Sequence, residues 1–210
     1  MKKTFVLIVL FVLPIVAYLF FASGINNFGK LPTLTRNIPD ISKIDANVAF
    51  ENKITILGFL GNDIEHQKGN AFNLNQKIYK RFYEFNDFQF VMLVPNGTEN
   101  QVANIKAELG SLTDIVKWKF VYASEDGIND IFNELKTDLE LDKNLATPYV
   151  FIIDKDRNLR GRTNDEDEGT KFGFNTTSVA DLNNKMEDDV KIILAEYRMA
   201  LKKNNANREK

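Results

Sequence analysis

Few residues of this chain have reactive side chains. Its 210 residues include no cysteine and one histidine, His66. His66 stands in a polar window, Asn62 to Gly69, with Asp63 and Glu65 close to it. An imidazole beside carboxylates could act in acid–base catalysis or hold a metal weakly through nitrogen and oxygen. The alternative is a solvated loop histidine, because one imidazole without a nucleophile or further ligands completes no recognised site.

The absence of cysteine excludes several functions. Thiol–disulfide exchange, thiolate peroxidase chemistry, thiolate zinc sites and structural disulfides all require that residue. A formal net charge of -2 provides no basic field for nucleic acid. We therefore predict no nucleic-acid partner, no cofactor and no metal, and a function carried out by binding.

The N-terminus has the pattern of a membrane anchor. Lys2 and Lys3 precede an apolar run from Thr4 to Ala22, which as a helix would be about 30 Å long, enough to cross a bilayer. Lysines on that flank place the N-terminus in the cytoplasm. The sequence thus predicts a bitopic protein with a transmembrane anchor over residues 1–24 and a periplasmic domain. The small residues Ala22-Ser23-Gly24 leave a cleaved signal peptide open.

Three further segments follow the anchor. Residues 25–45 are predicted to be a linker, because their prolines and glycines break any period. Residues 46–203 form the predicted domain, and residues 204–210 a disordered tail. Short apolar runs within the domain predict buried strands over 54–60, 88–94 and 118–123. A hairpin is predicted from 148–153 and 159–162, and helical spacing of apolar residues predicts the helices between and after the strands. Thr98-Glu99-Asn100-Gln101 is predicted to be a capping box that opens one of these helices.

The strand pair near the end of the domain carries a family resemblance. Thr147-Pro148-Tyr149-Val150-Phe151-Ile152-Ile153 resembles the final strand pair of thioredoxin-like domains, and the layout of the domain resembles the Sco (SenC) branch of that superfamily. The resemblance implies an α/β three-layer sandwich, with helices on both faces of a central mixed sheet. It also implies a cis bond between Thr147 and Pro148.

The same resemblance shows what this chain lacks. The Cys-x-x-x-Cys-Pro motif of the Sco branch would fall in the Asn62 to Gly69 window, and its copper-binding histidine would fall at Ala146. Neither is present. The resemblance then implies a redox-inactive assembly factor or accessory subunit of a membrane complex, with a respiratory oxidase as the candidate. An extracytoplasmic metal or small-ligand carrier using His66 and nearby carboxylates is the alternative. The candidate binding residues are Asn62, Asp63, Glu65, His66, Thr147 and Pro148.

Three other patterns are open to functional interpretation. Asp154-x-Asp156-x-Asn158 has the spacing that opens a calcium loop, but Leu159 stands where such a loop needs glycine. The acidic run 165–168 is either a solvated loop or a surface for a basic partner. The two aromatic residues of 172–174 predict either a docking tip or core packing under the loop.

Overall fold

The computed structural model describes residues 2–22 and 29–206. Residues 1 and 23–24 of the predicted anchor, residues 25–28 of the predicted linker and residues 207–210 of the predicted tail therefore lie outside the described residues. The strands are β1 (Thr33–Thr35), β2 (Ile54–Phe59), β3 (Phe88–Pro95), β4 (Trp118–Ala123), β5 (Tyr149–Ile153), β6 (Leu159–Arg160), β7 (Arg162–Asp165), β8 (Gly169–Lys171) and β9 (Phe174–Asn175).

Helices precede, separate and follow the strands. They are α1 (Lys2–Ala22), α2 (Ile64–Leu74), α3 (Lys80–Phe82), α4 (Glu99–Leu112), α5 (Glu125–Glu134), α6 (Val179–Asp181) and α7 (Glu187–Ala206). The π-helical segment Asn75–Tyr79 joins α2 to α3, and a second, Leu182–Met186, joins α6 to α7. A 3₁₀ turn covers Ile41–Lys43.

The main sheet is mixed, as predicted. Its described strands follow the order β1-β6-β5-β2-β3-β4, with β9 paired to β5. Strands β2, β3 and β4 are parallel, whereas β5 runs antiparallel to β2 and pairs with β6 as a hairpin. Parallel neighbours need crossover helices, which α2–α3 and α4 supply. The carboxyl ends of β2 and β3 therefore lie at the same end of the sheet.

Alternate residues of each central strand enter two separate cores. Ile56, Phe90 and Ile152 face the core covered by α2–α3, α4 and the α6–α7 helix. Leu57 and Val91 face the core covered by α5 and by the segment 38–50. This alternation follows from the two-residue period of a strand, and burial on both sides explains the continuous apolar runs in the sequence.

The segment predicted to be a linker differs from that expectation. Leu31, Ile38 and Ile41 are buried, and β1 pairs antiparallel with β6. The Thr35 hydroxyl also donates to the Leu135 carbonyl oxygen at 2.7 Å. Prolines and asparagines suppressed any periodic pattern here, but single apolar residues between turns are still buried, Leu31 in one core and Ile38 and Ile41 in the other.

The predicted membrane anchor falls on helix α1, Lys2–Ala22. No helix in the part of the chain that the structure describes is both long and apolar enough to cross a membrane. The transmembrane anchor predicted over residues 1–24 is therefore unsupported by the structure.

Candidate functional site

Two loops meet at the carboxyl end of β2, where the sequence placed the candidate site. Leu60 forms an isolated antiparallel bridge with Ala146. The Asn62 N–H donates to the Asn144 carbonyl oxygen at 2.8 Å, and the Thr147 N–H donates to Phe59 at 3.2 Å. These contacts join the loop after β2 to the loop before β5, so Asn62 and Thr147 belong to one surface.

Gly61 makes the close approach of the two loops possible. Its φ is +66°, in the left-handed region where a side chain is disfavoured. A Cβ at this position would collide with the Asn144 carbonyl oxygen and would come within 2.9 Å of the Ala146 nitrogen. Only glycine fits this junction without moving one of the loops.

Gln101 attaches the first loop to helix α4. Its Oε1 accepts from the Ile64 N–H at 3.0 Å, and its Nε2 donates to the Asn62 carbonyl oxygen at 3.0 Å. The sequence suggested instead that Thr98 and Gln101 form a capping box, which is wrong. The Thr98 hydroxyl donates to the Pro95 carbonyl oxygen at 2.7 Å and makes no cap. Gln101 instead satisfies an N–H at the start of α2 that no helical carbonyl can reach.

Asp142 fixes the second loop. Its carboxylate accepts from the Asn144 N–H at 2.8 Å and from the Ala146 N–H at 2.9 Å. An aspartate that bonds backbone groups two and four residues ahead holds a tight turn in one conformation. Both loops are therefore held by side-chain contacts.

The first turn of α2 presents the polar candidates to solvent. Asp63 caps the helix by accepting from the His66 N–H at 3.2 Å. Glu65 and His66 are exposed, and Lys68 joins Glu65 at 3.3 Å to Glu108 at 2.5 Å. Asp63 therefore has a structural role, while Glu65 and His66 are free to face a partner.

The predicted cis bond between Thr147 and Pro148 is wrong. No described peptide bond is cis. Trans is the ordinary state of an X-Pro bond, favoured by about 0.5–1 kcal/mol, and the two-residue match was too short to override it. The Pro148 carbonyl oxygen accepts from the Thr176 N–H at 2.9 Å and from its hydroxyl at 2.6 Å. Thr147 itself is buried, so of the two residues Pro148 is the more accessible.

The space behind the loops is nearly filled. A cavity of about 10 Å³ lies between Gly58, Gln67, Met92 and Thr147. That leaves room for about one water molecule, so no larger ligand fits without rearrangement. Met92 is buried in β3, as its position in an apolar strand predicted.

Metal-ligating side chains are not gathered at this site. Among the described residues, no group of three or more His, Asp or Glu side chains is placed to hold a metal ion. The loops therefore present hydrogen-bonding groups on a firmly held backbone, and such an arrangement can bind another surface.

The pattern that resembled a calcium loop serves a different purpose. The Asp154 carboxylate accepts from the N–H groups of Asp156 at 2.9 Å and Asn158 at 2.8 Å, and pairs with Arg160 at 3.0 Å. Arg160 also pairs with Glu196 at 2.7 Å. The arginine supplies the positive charge that calcium would supply, so this turn is held by a buried ion pair.

The acidic run 165–168 is largely neutralised by lysines. Lys185 contacts Asp165 at 2.6 Å and Asp167 at 2.7 Å, and Lys171 contacts Glu168 at 2.5 Å. Burial alone would raise the pKa of Asp165, but Lys185 and two backbone N–H groups together lower it. The residues of this run form the turn between β7 and β8. The docking tip suggested for 172–174 is likewise wrong at Phe174, which is fully buried.

The sequence thus placed Asn62, Asp63, Glu65 and His66 after the first core strand, and the structure joins Asn62 to the loop before β5, which leads into Thr147 and Pro148. It missed Gln101 and Asp142, which hold the loops. Gln101 was assigned to an N-terminal cap of α4 because residues 98–101 match the four-residue pattern of a capping box. Asp142 had a weak signal, an aspartate two residues before an asparagine in a polar loop.

Comparisons with known proteins identify the fold. No family model and no curated protein matches the chain. Among solved structures, BsSco, a member of the Sco family of cytochrome c oxidase assembly proteins, aligns with a TM-score of 0.51 at 10% identity, covering 78% of this chain and 97% of that one. The chain therefore has a thioredoxin-like α/β fold, as the sequence predicted.

Two further structures are similar at lower scores. The soluble domain of Sco1 from Bacillus subtilis aligns with a TM-score of 0.46 at 11% identity, covering 77% of this chain and 97% of that one. A thiol:disulfide interchange protein from Chlorobium tepidum aligns with a TM-score of 0.48 at 19% identity, covering 78% and 99%.

Proposed function

We propose that this chain is a redox-inactive thioredoxin-like protein that acts by binding, as an assembly factor or accessory subunit of a membrane complex. One observation carries the proposal. The loops at the carboxyl end of β2 are fixed by Gly61, Gln101 and Asp142, although the chain has no cysteine for them to position. A loop without a use would have no need of three such devices, whereas a binding surface gains affinity from a preorganised backbone.

The solvent-facing part of this surface consists of Asn62, Glu65, His66 and Pro148. The side chains of Asn62, Glu65 and His66 can donate and accept hydrogen bonds. The cavity behind the loops is nearly filled, and none of these four residues lines it. A polar surface on a firmly held backbone suits a protein partner better than a small molecule, which is normally held in a concave site.

The membrane location is part of the proposal and rests on the sequence. Two lysines precede an apolar run of about twenty residues, the length that spans a bilayer. The apolar side chains of Val6, Leu10 and Phe11 in α1 are exposed, and a helix with apolar side chains all round is stable against another apolar surface. We infer an N-terminal anchor with the domain on the periplasmic side.

A respiratory oxidase is the candidate complex. BsSco is described as belonging to a family of cytochrome c oxidase assembly proteins, and its fold is the one found here. The shared fold supports an assembly role, while the absent cysteines separate this chain from thiol-dependent steps. The role proposed is therefore to hold or position a subunit.

Affinity purification from solubilised membranes tests the proposal. The full-length chain is compared with a double variant, Asn62→Arg with Glu65→Arg, which changes the exposed surface and spares Gly61, Gln101 and Asp142. Equal unfolding free energies of the two proteins, measured by Trp118 fluorescence, would establish that the variant is folded. We expect a membrane complex to co-purify stoichiometrically with the wild type and to be lost from the variant. Recovery of the same complex by both proteins would contradict the proposal.

Topology is measured separately. Protease added to intact spheroplasts should digest the domain. Protection of the domain would contradict a periplasmic location, and its release as a shortened soluble protein would show that the N-terminal segment is cleaved.

A further inference from the structure

Helix α5 forms one wall of a surface groove. The groove has a volume of about 530 Å³ and lies between α5 and the 3₁₀ turn at Ile41–Lys43. Pro39, Ile44 and Ile131 supply its apolar lining, and Lys43 is the only basic residue that lines it. It covers the core on the opposite face of the sheet from α2, so it is distinct from the loop surface described above.

The acidic side chains beside this groove lack the neutralising partners found elsewhere. Residues 124–142 contain seven carboxylates and one lysine, although the whole chain has a net charge of only -2. Among the described residues, no ion pair involves Asp126, Asp130 or Glu134, whereas the acidic run 165–168 has lysine partners. The α5 face therefore carries negative charge that no ion pair among the described residues neutralises.

The placement of these charges opposes the stability of α5 itself. Asp126, Asp130 and Glu134 recur every four residues, so like charges stand above one another on one helix face, which is unfavourable. Glu134 lies in the last turn, where a carboxylate faces the negative end of the helix dipole. Lysine at that position would stabilise the helix. An arrangement that is unfavourable in the isolated chain becomes favourable when a cation docks against it.

The floor of the groove adds an apolar component. Gly127 lies in the first turn of α5, at this wall of the groove, and its N–H donates to the Ser124 hydroxyl oxygen at 3.2 Å. A Cβ there would lie 3.3 Å from the Ser124 hydroxyl oxygen and 3.9 Å from Ile44 Cδ1, so glycine widens the groove. An apolar floor with an acidic rim is complementary to a segment that has apolar side chains on one face and basic side chains beside them.

We propose that the α5 groove docks a cationic amphipathic helix of a protein partner, with apolar side chains against Ile44 and Ile131 and lysine or arginine against Asp130 and Glu134. This inference rests on the proposed binding function and adds a second contact surface of stated chemistry. Complementary charge fixes the orientation of such a helix and accelerates its association.

Peptide titration tests the inference on the full-length chain in mild detergent. The probe is a synthetic fourteen-residue helix of lysine and leucine at amphipathic spacing, and glutamate replaces lysine in the control peptide. Glu134→Lys is compared with Glu84→Lys, the same charge change on an exposed residue before β3, away from the groove. Because Glu134→Lys removes like-charge repulsion, it should keep or increase stability, so any loss of binding is not a loss of fold.

We expect saturable 1:1 binding that weakens with salt, that is about tenfold weaker in Glu134→Lys and that is unchanged in Glu84→Lys. Equal weakening by both substitutions, binding of the glutamate peptide, or no saturable binding would overturn the proposal. Self-association of the chain through this groove, lost in Glu134→Lys without any peptide binding, would replace the cationic helix with a second copy.

The outcome is distinguishable from failure of the proposed function. If wild type and Glu134→Lys recover the same membrane complex equally and the peptide does not bind, the inference about the groove fails and the binding function stands. If peptide binding behaves as expected but no complex is recovered, the assembly role fails.

Discussion

Replacement of Gly61 by alanine tests whether the two site loops are held at a close junction. The matched control is Gly169→Ala. Both glycines have a positive φ, +66° and +71°, so both substitutions place a side chain in the left-handed region. A Cβ at Gly169 meets nothing within 4 Å, whereas a Cβ at Gly61 meets the Asn144 carbonyl oxygen and Ala146. The difference between the two variants therefore isolates the contact between the loops.

The expected losses follow from these contacts. Gly169→Ala should lower the free energy of unfolding by about 1–2 kcal/mol, the cost of the left-handed conformation. Gly61→Ala carries the same cost and also forces the loops apart. That separation breaks the hydrogen bond from Asn62 to Asn144 and the one from Thr147 to Phe59, each contributing about 0.5–1.5 kcal/mol. A total loss of about 2–5 kcal/mol is expected for Gly61→Ala by adding these terms.

Urea unfolding followed by the fluorescence of the single tryptophan measures both losses. Trp118 is buried in the core, 4% exposed, and it reports global unfolding. Equal losses for the two alanine variants would refute the reasoning, because they would mean that the loops separate at no cost. A Gly61→Ala variant with native stability would refute it more strongly.

Three further predictions concern the contacts that hold the site and the domain. Gln101→Leu removes both hydrogen bonds to the first loop and should lower the free energy of unfolding in urea by about 1–3 kcal/mol. Gln76→Leu loses only an exposed contact with Lys80 and should lower that free energy by less than about 0.5 kcal/mol. Arg160→Met leaves the buried Asp154 without its cation and should lower the free energy of unfolding by about 3–5 kcal/mol. Arg81→Met removes a half-exposed ion pair with Glu187 and should lower it by less than about 1 kcal/mol. Similar losses within either pair would contradict the assigned contacts. Because the pKa of Asp165 is lowered in the folded chain, its contribution to stability is complete above about pH 4 and is lost as pH falls through the folded pKa. Unfolding free energies measured from pH 6 to pH 2 should fall less steeply in Asp165→Asn, and identical slopes would contradict this assignment.

The central strands and most helices were predictable because burial on both faces makes a strand almost entirely apolar. Phe88–Val94 and Ile54–Leu60 needed no further information. Strand β1 was not predictable: Thr33–Thr35 is short and polar, and its pairing with β6 depends on residues 124 or more positions away. The π-helical segments were equally invisible, since one extra residue per turn leaves the apolar spacing nearly helical.

The junction of the two loops was predictable from the sequence only in part. The polar window after the first core strand located Asn62 to His66, and Thr147 lies beside it. Gln101 was missed because its partners are 37 and 39 positions away, and a local pattern offered a simpler explanation. The acidic surface beside α5 was missed for a related reason. The sequence emphasised 165–168 as a dense acidic run, but only the folded chain shows that Lys171 and Lys185 neutralise it.

Site-specific photo-crosslinking in intact membranes tests the central claim most directly. A photoreactive amino acid is placed at position 65, on the exposed first turn of α2, and for comparison at position 84, at the opposite end of the sheet. We expect a discrete crosslink from position 65 to a subunit of a membrane complex and none from position 84. The absence of a crosslink at position 65, or equal crosslinking from both positions, would contradict a binding function for this surface.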